Sequence, residues 1–185
     1  MEQAKGTTLI HRIQYLQEKT TAEKRQQVLD LLNPEFQKAI RRGLHAIHWY
    51  PFAWYVELLT VMDAVIGKGD YQLAVDIGYY AGMKAGTGLY KLFFKFGTIK
   101  FILQRAASFW SQMFNTGSCE TQIPDEKQGK MYVRNFPGLP KVVCMSLLGW
   151  SRAVIELAGG KNIHMIITRW PDEEDPTLEL SGTWD

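Results

Sequence analysis

The side chains that could bind a metal ion are few in this sequence, and their spacing matches no familiar metal site. The histidines are His11, His45, His48 and His164. His45 and His48 are three residues apart and could share a helix face, but no cysteine or acidic residue nearby completes a set of zinc ligands. We therefore predict no bound metal ion.

The nucleophile candidates are equally sparse. Cys119 and Cys144 are the only cysteines. Cys144 lies near the start of a predicted helix and near Lys141, a setting that favours a reactive thiol, although a small buried core residue is the preferred interpretation. No Gly-x-Ser-x-Gly elbow, phosphate-binding loop or paired carboxylate set is present. The sequence thus favours a non-enzymatic protein.

Aromatic residues are the more informative group. They cluster between Trp49 and Tyr55 and again between Tyr79 and Phe96. A predicted helix near Tyr90 is apolar on two sides, which indicates full burial, a subunit interface or the wall of an apolar pocket. The candidate residues for a pocket or interface are Trp49, Trp54, Tyr55, Tyr90, Phe94, Trp110 and Trp150.

Composition narrows the class of protein. The 185 residues carry 21 basic and 19 acidic side chains, so the net charge of +2 gives no overall footprint for nucleic acid. Two cysteines are too few for a disulfide framework. We see no signal peptide and no apolar stretch of about 20 residues that could span a membrane. We therefore expect a reduced, cytoplasmic protein that binds no nucleic acid and does not span a membrane.

The hydrophobic pattern predicts one domain in three stretches: a helical preamble (1–43), a helical core (44–117), and a sheet with a long helix (118–185). Apolar residues recur at three- and four-residue steps up to Asn115, which predicts helices. After Gly117 the period changes to two. A long helix follows from Pro140 to Gly159, and two further strands end the chain. The predicted fold is α+β, a helical layer followed by a small antiparallel sheet with one long helix packed on it.

Several sequence blocks together resemble a known family. They are Lys5–Thr7, His48–Pro51, Gly67–Asp70, Gly88–Phe93, Gly97–Thr98, Arg105–Trp110, Gly149–Trp150 and Glu156–Gly159. Their order is similar to that in an uncharacterised paralogous family of myxobacteria and related deltaproteobacteria, a relative of the 4-vinyl-reductase domain. The resemblance implies a wider superfamily that includes haem-nitric-oxide-binding (H-NOX) sensors and transport-particle (TRAPP) subunits.

The resemblance implies ligand-binding or protein-docking domains that are often dimeric. Many relatives carry two cysteines on the last hairpin and one on the preceding helix. Cys144 resembles the helix member, but Trp170 and Leu178 stand at the hairpin positions. The Tyr-x-Ser-x-Arg motif that holds haem propionates in H-NOX proteins is also absent. We therefore expect neither a thiolate metal site nor haem.

The function predicted from the sequence is a non-enzymatic, ligand-binding sensory domain or a protein-interaction domain in bacterial signalling. We expect no cofactor, a small apolar ligand, a homodimer and a further protein partner. One alternative is a small-molecule enzyme or a reductase accessory protein. Another is a haem or metal sensor.

Overall fold

A computed structural model describes residues 1–87 and 97–185 of the chain. The helices are α1 (Gly6–Lys19), α2 (Ala22–Leu31), α3 (Pro34–Arg42), α4 (Phe52–Val65), α5 (Gln72–Ala85), α6 (Ile99–Leu103), α7 (Ala106–Met113) and α8 (Lys141–Leu157). The strands are β1 (Gln3–Lys5), β2 (Trp49–Pro51), β3 (Ser118–Asp125), β4 (Gln128–Arg134), β5 (His164–Arg169) and β6 (Leu178–Thr183).

Side-chain caps fix the starts of the early helices. The Thr21 hydroxyl accepts a hydrogen bond from the Lys24 amide at 3.2 Å, and the Asn33 side chain accepts one from the Phe36 amide at 2.9 Å. These bonds satisfy amides that have no partner within the helix.

Two antiparallel sheets organise the rest of the chain. β1 and β2 form a short pair that ties the N-terminus to the segment before α4, with Lys5 opposite Trp49. The second sheet has the order β3-β4-β6-β5. β3 pairs with β4 and β5 pairs with β6, and the pairing of β4 with β6 joins these two strand pairs into one sheet. The sequence pattern did not predict β1 and β2, since three residues are too few to establish a period of two.

Helix α8 is the centre of the packing. Most of its residues are buried, on every side of the helix. It packs against α5 on one side and against the four-stranded sheet on the other. Helices α1 and α4 complete the core through Leu9, Leu16 and Leu58, which are fully buried.

The predicted α+β fold is confirmed, with some local differences. The helical spacing of apolar residues that runs up to Asn115 continues across a break near Arg105, where α6 ends and α7 begins. The predicted two-sided helix around Tyr90 lies outside the described residues. Among the described helices, none has the length and apolar character that a membrane crossing requires.

Candidate functional site

A cavity of about 620 Å³ lies between α1, α7, α8 and the β3–β4 hairpin. Its volume is in the range of pockets that hold small-molecule ligands and cofactors. Aromatic and aliphatic side chains form most of the wall, namely Phe109, Trp110, Phe114, Met131, Leu147 and Trp150. No aspartate or glutamate lines it within the described parts of the chain.

The predicted aromatic residues divide into three groups. Tyr55, Trp110 and Trp150 line the cavity. Trp49 and Trp54 do not: the Lys5 ammonium lies 3.9 Å from the centre of the Trp49 ring, and Trp54 stacks on Phe36 with 4.9 Å between ring centres.

Tyr90 and Phe94 lie outside the residues that the structure describes. No structural role is given to these two candidates.

A buried arginine forms the polar end of the cavity wall. Arg12 lies on α1 and is only 4% exposed. Its Nη1 donates to the Thr8 carbonyl at 3.1 Å. Its Nη2 donates to the Tyr55 hydroxyl at 2.9 Å and to the Ser146 hydroxyl at 3.1 Å. The Tyr55 hydroxyl in turn donates to Ser146 at 3.2 Å, so α1, α4 and α8 share one hydrogen-bonded group.

His11 is the one histidine on the cavity wall. Burial, together with the positive charges of Arg12 and Lys84, lowers the pKa of His11 to about 4. The imidazole is therefore neutral at pH 7, the form in which a ring nitrogen can bind a metal ion. His45 and His48 are exposed, with 4.7 Å between their ring centres and an angle of 41° between the ring planes, and His164 is exposed on β5.

Two lysines add positive charge to the same cavity, Lys5 from β1 and Lys84 from α5. The Lys84 ammonium lies 2.9 Å from a Glu18 carboxylate oxygen, which offsets its charge. Among the described residues, the positive charge on the cavity wall that no carboxylate offsets therefore comes mainly from Arg12 and Lys5.

The two cysteines are buried thiols. Burial raises the pKa of both Cys119 and Cys144 to about 12, so the reactive thiolate is scarce at neutral pH. This result supports the core interpretation of Cys144 over the reactive one. Within residues 1–87 and 97–185, no three histidine, cysteine or acidic side chains are grouped closely enough to hold a metal ion.

Sequence reasoning missed His11 and Arg12, although one signal was present. Leu9, Arg12 and Leu16 follow helical spacing and share the buried face of α1. A charged residue in an apolar stripe is unusual, because arginine is rarely buried without a partner. That position was the available clue to the cavity.

Solved structures of H-NOX domains share this fold. An H-NOX protein from S. oneidensis in the Fe(II)NO ligation state aligns with a TM-score of 0.75 at 9% identity, covering 98% of this chain and 99% of that chain. The Fe(II) unliganded H-NOX protein from K. algicida aligns with a TM-score of 0.73 at 11% identity, over 98% and 96% of the two chains.

An oxygen-binding H-NOX domain related to soluble guanylate cyclases gives a TM-score of 0.69 at 11% identity, over 98% of this chain and 95% of that chain. No protein-family model matches the chain, and no curated protein does. The likeness thus establishes the H-NOX fold, and the finer link to the 4-vinyl-reductase relatives stays a prediction.

The prediction that the chain takes no cofactor is contradicted by this likeness. Iron-containing domains share the fold over nearly the whole chain, and one matching structure concerns haem and porphyrin distortion by name. The prediction relied on an absent sequence motif and on unpaired histidines. It did not consider that His11 and Arg12, adjacent on α1, could line a cavity of this size.

Proposed function

We propose that this chain is a sensory domain that holds a haem in the cavity between α1, α7 and α8, with His11 as the iron ligand. The observation that carries the proposal is the placement of this single histidine on the wall of a large, mostly apolar cavity. A haem is a flat apolar ring that needs an axial ligand such as histidine, together with partners for its two carboxylates.

The residues on the cavity wall fit these requirements. Phe109, Trp110 and Leu147 supply an apolar surface, and Trp110 is held in place by a hydrogen bond from its ring nitrogen to the Thr116 carbonyl at 2.9 Å. Lys5 and Arg12 supply positive charge for carboxylates. His11 stays neutral because burial, and then the positive charges of Arg12 and Lys84, lower the pKa of its imidazole.

When bound, a haem would supply an iron centre able to take up a small diatomic molecule. The names of two structural neighbours state such a ligand for those proteins, oxygen in one and NO in the other. The contribution of this chain is to exclude water from the ring and to present one imidazole. Polarity and access around an iron site decide which small molecules it binds.

Titration with haem tests the proposal. We expect one equivalent to bind to the wild-type protein, with a sharpened and shifted Soret band. His11→Ala should lose that spectrum and regain it when free imidazole is added. His164→Ala, which removes an exposed histidine on β5, is the matched control and should behave as wild type. Wild-type spectra from His11→Ala would refute the assignment of the iron ligand.

The adaptor function, the homodimer and the protein partner stay predictions. No observation among the described residues favours the enzyme or reductase-accessory alternative. The cavity wall there carries no acidic side chain to act as a general acid or base.

A further inference from the structure

Arg12 is a buried cation without an anionic partner in the described part of the chain. Its hydrogen-bond acceptors are a carbonyl and two hydroxyls, all of them neutral. The ion pairs of the described residues do not include it. These three bonds leave other N–H donors of the guanidinium unused, and the Nε atom has no partner.

A buried arginine without an anionic partner is unfavourable unless a bound group supplies the negative charge. An arginine side chain stays positively charged in proteins, and buried charges are normally paired with an opposite charge. Neutral acceptors compensate only part of the lost hydration. Arg12 nevertheless lies on the wall of a cavity large enough for a ligand, and the cation Lys5 lines the same cavity.

Most of the remaining surface of that wall is apolar. A ligand that satisfies Arg12 must therefore combine one anionic group with a larger hydrophobic body. Guanidinium groups bind carboxylates with short, charge-assisted hydrogen bonds. The hydroxyls of Tyr55 and Ser146 accept hydrogen bonds from the guanidinium and so hold it in place on the cavity wall.

We propose that Arg12 binds the carboxylate of an amphipathic ligand whose apolar body lies against Phe109, Trp110 and Leu147. The inference deepens the proposed function, since it concerns the same cavity, but it requires no iron. A porphyrin propionate and a fatty acid both have this chemistry, and the experiment separates them.

The first arm uses iron-free protoporphyrin IX and its dimethyl ester, titrated by fluorescence into the full chain. Neither probe carries iron, so His11 ligation plays no part. We expect wild type to bind the diacid at least about ten-fold more tightly than the diester, because a charged hydrogen bond contributes that much to affinity. Equal affinity for acid and ester would overturn the proposal without the use of any variant.

Arg12→Met should reduce that preference to about two-fold or less, whereas Arg42→Met, which removes an exposed arginine of α3, should keep it. A purely structural arginine gives a different result, namely a large loss of stability and an unchanged acid-over-ester preference. If Arg12→Met does not fold, the acid–ester comparison on wild type and the more conservative Arg12→Lys variant decide the question. Arg12→Lys should retain part of the preference.

The second arm replaces the porphyrin with dodecanoate and dodecanol, measured by calorimetry. Arg12-dependent binding of dodecanoate in a protein that binds no porphyrin would support this inference and contradict the haem proposal. His11-dependent haem binding with no preference for acid over ester would support the haem proposal and contradict this inference. The two proposals therefore fail independently.

Discussion

At the scale of single residues, two adjacent side chains on α1, His11 and Arg12, define the cavity. Each lies in an environment that is unusual for its residue type. Arg12 is buried and keeps its charge among neutral partners. His11 is held in its neutral form by burial and by neighbouring cations. Both follow from where α1 places them, since Leu9 and Leu16 anchor the same helix in the core.

His11 should make stability depend on pH in the haem-free protein. Its pKa is about 4 when folded and 6.5 in the reference state, so the unfolded chain takes up the proton first as pH falls. The stabilisation is complete above pH 6.5 and is lost progressively down to about pH 4. Between pH 7.5 and 5.5 we expect a loss of about 1 kcal/mol in the free energy of unfolding.

Urea unfolding at the two pH values measures this loss. His11→Asn should remove the His11 contribution, while His164→Ala should retain it. Identical pH dependence in wild type and His11→Asn would contradict the assigned environment of His11.

The thiols should be inert in the folded protein. Cys119 and Cys144 both have a pKa raised to about 12 by burial, so little thiolate forms at pH 8 and the reagent has little access. We expect neither thiol of the native protein to react with Ellman's reagent within minutes. Both should react once guanidinium chloride unfolds the chain. Rapid labelling of one thiol in the native protein would show that it is exposed or activated.

At the scale of elements, the helices were predictable because apolar residues recur at helical spacing over many turns. The break between α6 and α7 was not predictable, since Ile102, Ala106 and Trp110 keep the helical spacing across it. β1 and β2 were missed because each has three residues and is defined by its partner strand. The place and shape of the cavity could not be predicted, because α1, α7 and α8 are distant in the chain, although Tyr55, Trp110 and Trp150 were candidates for an apolar pocket or an interface.

The crossing of α5 and α8 depends on glycines. A Cβ atom added at Gly78 would lie 1.9 Å from the Ser146 carbonyl oxygen, a contact with backbone that cannot rotate away. Gly78→Ala should therefore lower the free energy of unfolding by about 3 kcal/mol. It should also weaken carboxylate binding, since the Ser146 hydroxyl accepts hydrogen bonds from both Arg12 and Tyr55.

Gly86→Ala is the matched control for that substitution. A Cβ there meets only the flexible side chain of Leu157, and the backbone at Gly86 is already helical. We expect a change in the free energy of unfolding below about 1 kcal/mol. Chemical denaturation of both variants checks the pair, and equal stability of the two would show that the helices separate easily.

At the scale of the whole molecule, the predicted homodimer relied on a surplus of aromatic surface. The structure removes part of that argument, since Phe52 and Tyr55 are buried within the chain and Trp54 stacks on Phe36. The large apolar side chains that stay exposed in the described part are Met1, Leu31, Ile47, Phe101, Ile166 and Trp170.

The homodimer stays a prediction of the sequence. Light scattering of the purified protein at tens of micromolar should give twice the mass of the chain if the prediction holds. A monomer mass would contradict it and leave the cavity proposals unaffected.

The central claim is that the cavity beside α1 is the haem site, and crystals of the haem-loaded protein test it most directly. An anomalous difference map collected at the iron absorption edge locates the metal without reference to any assumed pose. We predict a single iron peak inside the cavity, bonded to a ring nitrogen of His11. An iron peak on the surface at His45 and His48 would contradict the claim.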